Sequence, residues 1–285
     1  MTTATFRRPA SVVEALELIA RDQEETKFLA GGTGLVLMLS HGLIAPRTLL
    51  SLDRISSLAG IRLEADGLHV GAMTRLVDVA RSPVVLERCP ALADAAGRVG
   101  NVRIRNQATL GGNLAHADYA SDPPTMLAAL DARVTVAGRA GTRHLGITEL
   151  VLGPYTTALE PGELITEIVV PQPGAARMAY LRLTSRGAED RPCVSTGVLA
   201  SFDATTCGRL RLVVGATYDA PRLVEAAEQI GLGTDLNDDV IDRIAGAAVD
   251  PPALLDDPRG SRWYRERVVR ACVRRVLERV RVTRA

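Results

Sequence analysis

The stretch Pro171-Gln172-Pro173-Gly174 does most to limit what this chain can become, because two prolines and a glycine cannot prolong the strand-like run Leu164–Val170 before it. It splits 285 residues into two differently patterned parts, and a prior of roughly 100–200 residues per domain agrees with two units. Ahead of the linker, helix and strand patterns alternate. Ser11 and Glu14 stand in capping-box spacing at the start of a helix reaching about Arg21. A strand at Lys27–Ala30, a helix from about Thr33 to His41 and a strand at Thr48–Leu52 follow. Asp66-Gly67, between Ile61–Glu64 and Leu68–Gly71, predicts a hairpin. Helices are expected at about Thr74–Ala80, Val84–Val99 and Thr125–Leu130, and strands at Arg133–Ala137 and Leu164–Val170. Behind the linker, strand-like runs at Met178–Thr184, Cys193–Phe202 and Leu210–Ala216 precede helical patterns at about Pro221–Ile230, Asp238–Val249 and Ser261–Val282. Strands grouped before helices indicate an α+β domain. In the last helix Val269, Cys272, Val273, Val276 and Val280 share a stripe, which leaves its arginines as a solvated face or, as the alternative, a subunit contact.

The formal charge of +1, from 34 basic and 33 acidic residues, argues against a nucleic-acid partner. Cys89, Cys193, Cys207 and Cys272 lie far apart and without metal-ligand spacing, so no iron–sulfur cluster or zinc is expected on this chain. No apolar run reaches the roughly 18–20 residues of a membrane helix. Arg7-Arg8 is followed by the start of a capped helix and lacks the apolar region of an export signal, so the expected location is cytoplasmic.

Two glycine-pair loops carry the chemistry: Leu29-Ala30-Gly31-Gly32-Thr33-Gly34 and Thr109-Leu110-Gly111-Gly112-Asn113. Adjacent glycines admit positive φ and let main-chain N–H groups approach an anion. Either pair alone is more often a turn, and neither has the spacing of a nicotinamide-binding Rossmann unit or of a P-loop. Two in matched contexts suggest opposite walls around one diphosphate. Lys27, directly before the first loop, is the only lysine in the chain. A preference for arginine codons would leave one lysine by chance, and a demand for a compact ammonium would also produce it.

The run Lys27-Phe-Leu-Ala-Gly-Gly-Thr33, the run from Arg103 through the second glycine pair to Asp122-Pro123-Pro124, the segment Tyr155 to Ile168 and the segment Arg182 to Asp190 together resemble the FAD-binding medium subunit of the molybdenum hydroxylases. That is the group of xanthine dehydrogenase and carbon monoxide dehydrogenase. The likeness covers nearly the whole chain. It implies an α+β architecture: a two-lobed FAD-binding domain of the vanillyl-alcohol-oxidase (PCMH) type over residues 1–173, with lobes of about 1–55 and 56–173. A small C-terminal domain of the carbon monoxide dehydrogenase flavoprotein type, a three-stranded sheet plus helices, follows over 174–285.

The resemblance also implies the site. Lys27, Leu29, Ala30, Gly31, Gly32, Thr33, Gly34 and Leu35 would wrap the diphosphate of a non-covalently held FAD, with Ala108, Thr109, Gly111, Gly112 and Asn113 gripping it from the other lobe. His116, Ser121 and Asp122 match positions near the ribityl and diphosphate region; Leu164 and Ile165 match positions near the isoalloxazine ring, and Ile104 and Arg182 join the set. Thr33, Thr109 and Asn113 can donate to diphosphate oxygens, whereas Asp122 can only accept, from hydroxyls, or cap the helix before Pro123-Pro124. Gly34 replaces a usually polar residue, which leaves the clamp barer; Tyr119 replaces a frequent proline, which loosens its loop; Arg191 replaces a tyrosine found in some relatives. No catalytic residue is assigned, and His41, His69 and His144 have no evident partners.

The implied function is electron exit from a three-subunit hydroxylase. A large molybdopterin subunit would oxidise the substrate, a small subunit with [2Fe-2S] clusters would relay electrons, and FAD would pass them to NAD⁺, a quinone or another external acceptor. A dimer of heterotrimers is the implied assembly. The alternatives are a self-sufficient flavin oxidoreductase of the same fold and a non-enzymatic scaffold whose glycine loops are only turns.

Overall fold

A computed structural model describes residues 4–281, so Val282, the expected end of the last helix, lies outside it. The first lobe runs β1 (Thr5–Arg7), α1 (Val12–Ile19), β2 (Thr26–Leu29), α2 (Leu35–Ser40) and β3 (Thr48–Ser51). Its three strands are parallel in the order β1-β3-β2. Ser11 caps α1 by accepting from the Glu14 amide, while Glu14 accepts from the amide of Ala10, one residue earlier than the standard box. Ala15, Leu52, Ile55 and Leu58 form a small core that Leu164 closes from much later in the chain.

The second lobe contains β4 (Ile61–Leu63), β5 (Gly67–Gly71), α3 (Leu76–Arg81), α4 (Pro83–Arg88), α5 (Pro90–Gly97), α6 (Val102–Arg105), α7 (Leu110–His116) and α8 (Asp122–Ala129). It continues through β6 (Arg133–Gly138), β7 (Gly141–Gly146), α9 (Ile147–Leu150), β8 (Val151–Gly153), β9 (Thr156–Thr157) and β10 (Leu164–Pro171). The main sheet is antiparallel, ordered β4-β5-β10-β6-β7. The single helix expected over Val84–Val99 is two helices. Cys89 precedes Pro90, which disfavours helical backbone there, and it sits at φ −140°, ψ 57°. β7 has no apolar alternation and owes its place to pairing with β6 along its full length. β10 extends one residue further than expected, to Pro171, opposite Gly67.

The C-terminal part contains β11 (Arg177–Thr184), β12 (Pro192–Asp203), β13 (Thr206–Gly215), β14 (Arg222–Leu223), α10 (Glu225–Gly231), α11 (Asp238–Ala247) and α12 (Arg262–Val280). Its sheet has four strands rather than three, because Arg222-Leu223, read from sequence as helix, pairs with Val213-Val214. The expected stripe of α12 is buried, each residue at most 2% exposed. Arg265 breaks the solvated-arginine reading: fully buried, it donates to the carbonyls of Cys193, Ala216 and Gly260 and pairs with Asp257 at 2.8 Å. The other face of the sheet takes α8. A Cβ on Gly215 would stand 2.0 Å from Thr125 Oγ1, which hydrogen-bonds Ser195 Oγ at 2.9 Å. Tyr180, Leu199 and Val213 thereby enter the core of the second lobe. All four cysteines are buried and free. No described helix is long and apolar enough to cross a membrane.

Candidate functional site

The first glycine loop leads from β2 into α2, and close packing dictates its composition. A Cβ on Gly31 would stand 2.0 Å from the Gln107 carbonyl oxygen, and Gly32 takes φ +75°. Among the described residues, the N–H groups of Gly31, Gly32, Thr33, Gly34 and Leu35 meet no acceptor in the protein. Gly31, Gly32 and Thr33 of this row line a groove of about 440 Å³ together with Val36, Leu37, Ser40 and Gln107. Successive unpaired amides at the start of a helix form a concavity of partial positive charge.

The second loop differs from the expectation of a matching amide wall. Its amides are engaged within the protein: Leu110 donates to the Thr74 carbonyl, Gly111 to Ala72, Gly112 to Thr109 Oγ1 and Asn113 to the Thr109 carbonyl. Thr109, 3% exposed, is thus the N-cap of α7. Gly111 is required because a Cβ there would lie 2.5 Å from that of Ala72. Gly112 faces the first loop, where a Cβ would come within 3.2 Å of Ala30. The two loops therefore touch, through Gly112 against Ala30 and Gly31 against Gln107 and Ala108, with the free donors on one side only. Asn113 Oδ1 accepts from Ser121 Oγ at 2.9 Å, leaving the Asn113 amide nitrogen as a possible donor.

His116 ends α7 and explains Gly34. A Cβ at Gly34 would lie 3.1–3.2 Å from three atoms of the imidazole, so the position expected to be bare is filled by this ring. Burial pulls the His116 pKa below its ordinary value; Asp118 opposes the shift and Arg191 adds to it. Leu164 and Ile165, 6% and 3% exposed, pack into the cores of the first and second lobes respectively. Ile104 is half-buried on α6, and Lys27 is exposed on β2.

Asp122 and Arg182 lie in the seam between α8 and the C-terminal sheet. Their side chains, each 3% exposed, pair at 2.8 Å, and Asp122 also accepts from Tyr180 Oη at 2.5 Å. Burial pushes the Asp122 carboxyl up to about 6 against the pull of Arg182 and Tyr180. Asp122 is the first residue of α8 and Ser121 is its cap position, so the helix-cap reading of Asp122 is corrected. Tyr119 does not loosen its loop: it donates to Asp257 Oδ2 at 2.8 Å and lies under the Arg259 guanidinium.

His69 does have partners, Glu167 at 3.0 Å and Asp66 at 2.9 Å. Glu64, Asp66 and His69 bring ligand-type atoms within 4.8 Å of one another, and Arg62 pairs with Glu64. The hairpin signal at Asp66-Gly67 was the clue to this cluster, because a tight turn brings Glu64 and His69 together.

Fold and site define a class: a two-lobed domain with a row of free amides where two glycine loops meet. Residues 2–173 match the family described as the FAD binding domain in molybdopterin dehydrogenase, and residues 179–280 match the CO dehydrogenase flavoprotein C-terminal domain. The chain is 30% identical over 279 residues to the glyceraldehyde dehydrogenase medium chain of Sulfolobus acidocaldarius, covering 97% of this chain and 98% of that protein. It is 34% identical to the 6-hydroxypseudooxynicotine dehydrogenase complex subunit alpha of Paenarthrobacter nicotinovorans, covering 94% and 90%. Among solved structures it superposes on a chain of carbon monoxide dehydrogenase from Hydrogenophaga pseudoflava with a TM-score of 0.93, 31% identity and coverage of 97% and 96%. The chain belongs to the FAD-binding medium-subunit family of the molybdenum hydroxylases, and is an oxidoreductase subunit.

Proposed function

We propose that this chain is the electron-exit subunit of a molybdenum hydroxylase. It takes electrons from the [2Fe-2S] clusters of a small partner subunit, while a large molybdopterin subunit oxidises the substrate. FAD, when bound, supplies the exchange between single-electron donors and a two-electron external acceptor such as NAD⁺ or a quinone. The assembly is a dimer of these three-subunit units, working in the cytoplasm.

The observation that carries this reading is the row of free amides from Gly31 to Leu35. An anion with several oxygens, such as a diphosphate, satisfies such a row, and unpaired donors at a half-buried site otherwise cost stability. The residues present therefore fit the cofactor. The Gly31–Leu35 amides and Thr33 hold the diphosphate, and Gly112 and Ala108 close the site from the second lobe. Lys27 adds positive charge on the incoming strand, and Asn113 and the neutral His116 offer a donor and an acceptor beside it. Ile104, Leu164 and Ile165 supply apolar packing and exclude water. Asp122 and Arg182 act from behind, holding α8 to the C-terminal sheet.

Gly31→Val, co-expressed with the partner subunits, tests the reading. Its side chain must displace the Gln107 carbonyl, so bound flavin, read from visible absorbance per mole of protein, should fall to roughly a tenth or less. Full flavin content in that variant would overturn the assignment, as would purification of active yellow protein without two further chains.

A further inference from the structure

Two residues with left-handed backbone face each other beside the cofactor loop. Ala117, φ +49°, is the C-cap of α7, and Tyr155, φ +56°, lies in the turn between β8 and β9; the Tyr155 amide donates to the Ala117 carbonyl at 2.8 Å. Such conformations are strained in non-glycine residues and persist where the surroundings enforce them. Here they set the Tyr155 ring against His116, with centroids 5.2 Å apart and planes tilted by 56°. The same imidazole packs against Gly34, within the free-amide row. Arg191, held by Asp118 at 3.1 Å, reaches the Tyr155 hydroxyl at 3.5 Å. Tyr155 is 51% exposed, so core packing does not account for the strain at this residue.

We propose that Tyr155 is a positioning residue: it presses His116 against Gly34 and so fixes the spacing of the amide row that receives the FAD diphosphate. The inference rests on the reading of Gly31–Leu35 as the diphosphate site. Tyr155 acts through the imidazole rather than by touching the cofactor. The imidazole, backed by the Tyr155 ring, is the bridge between the second lobe, which carries both rings, and the first lobe, which carries the amides.

The test uses the assembled complex, stripped of flavin and titrated with FAD. Tyr155→Gly removes the ring at a φ that glycine adopts freely, so thermal unfolding of the flavin-free protein should stay level or shift upward. The same variant should raise the FAD dissociation constant about tenfold or more, because the amide row loses its registration. Tyr155→Phe keeps the ring and should restore affinity to within about twofold. His116→Ala should weaken binding at least as much as Tyr155→Gly, and the double variant should be no weaker than His116→Ala alone. Wild-type affinity in Tyr155→Gly overturns the proposal, and so do losses that multiply in the double variant. Gly31→Val with unchanged FAD affinity overturns the underlying site reading and the proposal with it, whereas its loss beside an unaffected Tyr155→Gly overturns the proposal alone.

Discussion

His69 and His116 are shifted in opposite directions by their surroundings, and the signs have consequences for stability. At His69 burial works downward, but the hydrogen bonds to Asp66 and Glu167 outweigh it and the pKa is raised. Its contribution is fully present below the unfolded value of about 6.5 and is lost as pH rises through the folded value. His116 is depressed, chiefly by burial, so its contribution is present above about 6.5 and fades as pH falls through the folded value. His69→Gln should therefore lower stability by about 0.5 kcal/mol near pH 5.5, where solvent screening at Asp66 keeps the effect small, and by almost nothing near pH 8.5. Urea midpoints at the two pH values check this, and an equal loss at both would show that charge is not involved. Residue types at the glycine loops were legible in sequence because glycine is what the backbone approach requires. Which amides remain free was not, since that depends on Thr74 and Ala72 accepting from Leu110 and Gly111. The partner of His69 on Glu167 was likewise set by the register of β10 against β5.

Among the elements, α8 carries more than its length suggests, since all eight of its residues are buried. One side packs in the second lobe, and the other meets β12 and β13 through Gly197 and Gly215. Gly215→Ala should destabilise the protein by about 1–3 kcal/mol, because the new methyl must push Thr125 off its hydrogen bond with Ser195. The denaturant midpoint reports it, and a neutral result would mean that α8 can shift without loss. Prolines and caps made most helices of this chain readable. Element edges that rest on long-range pairing, such as β7 and β14, have no local pattern to betray them. The break at Pro90 was readable in principle, because the residue before proline avoids helical backbone.

At the scale of the molecule, Asp257 ties the two parts of the chain together. It accepts from Tyr119 of the second lobe and pairs with Arg259 and the buried Arg265 of the C-terminal part. Burial raises its pKa, but the Tyr119 and Arg259 hydrogen bonds with the Arg265 charge outweigh that and hold it at about 2. Its contribution is thus present above the ordinary carboxylate value and is lost only as pH falls toward 2. Asp257→Asn leaves the Arg265 charge buried beside a neutral amide and should cost about 3–5 kcal/mol, splitting one unfolding transition into two. Calorimetry of the flavin-free chain would show the split; a single unchanged peak would remove Asp257 from this role. The burial of the four cysteines has a different kind of consequence. Where a protein meets peroxide, exposed thiolates are the first side chains to be oxidised. Burial holds the Cys89 thiol up at about 11 and the Cys272 thiol at about 12. Sulfur that stays protonated and out of reach gives oxidants little to attack, so all four thiols are shielded by the fold itself.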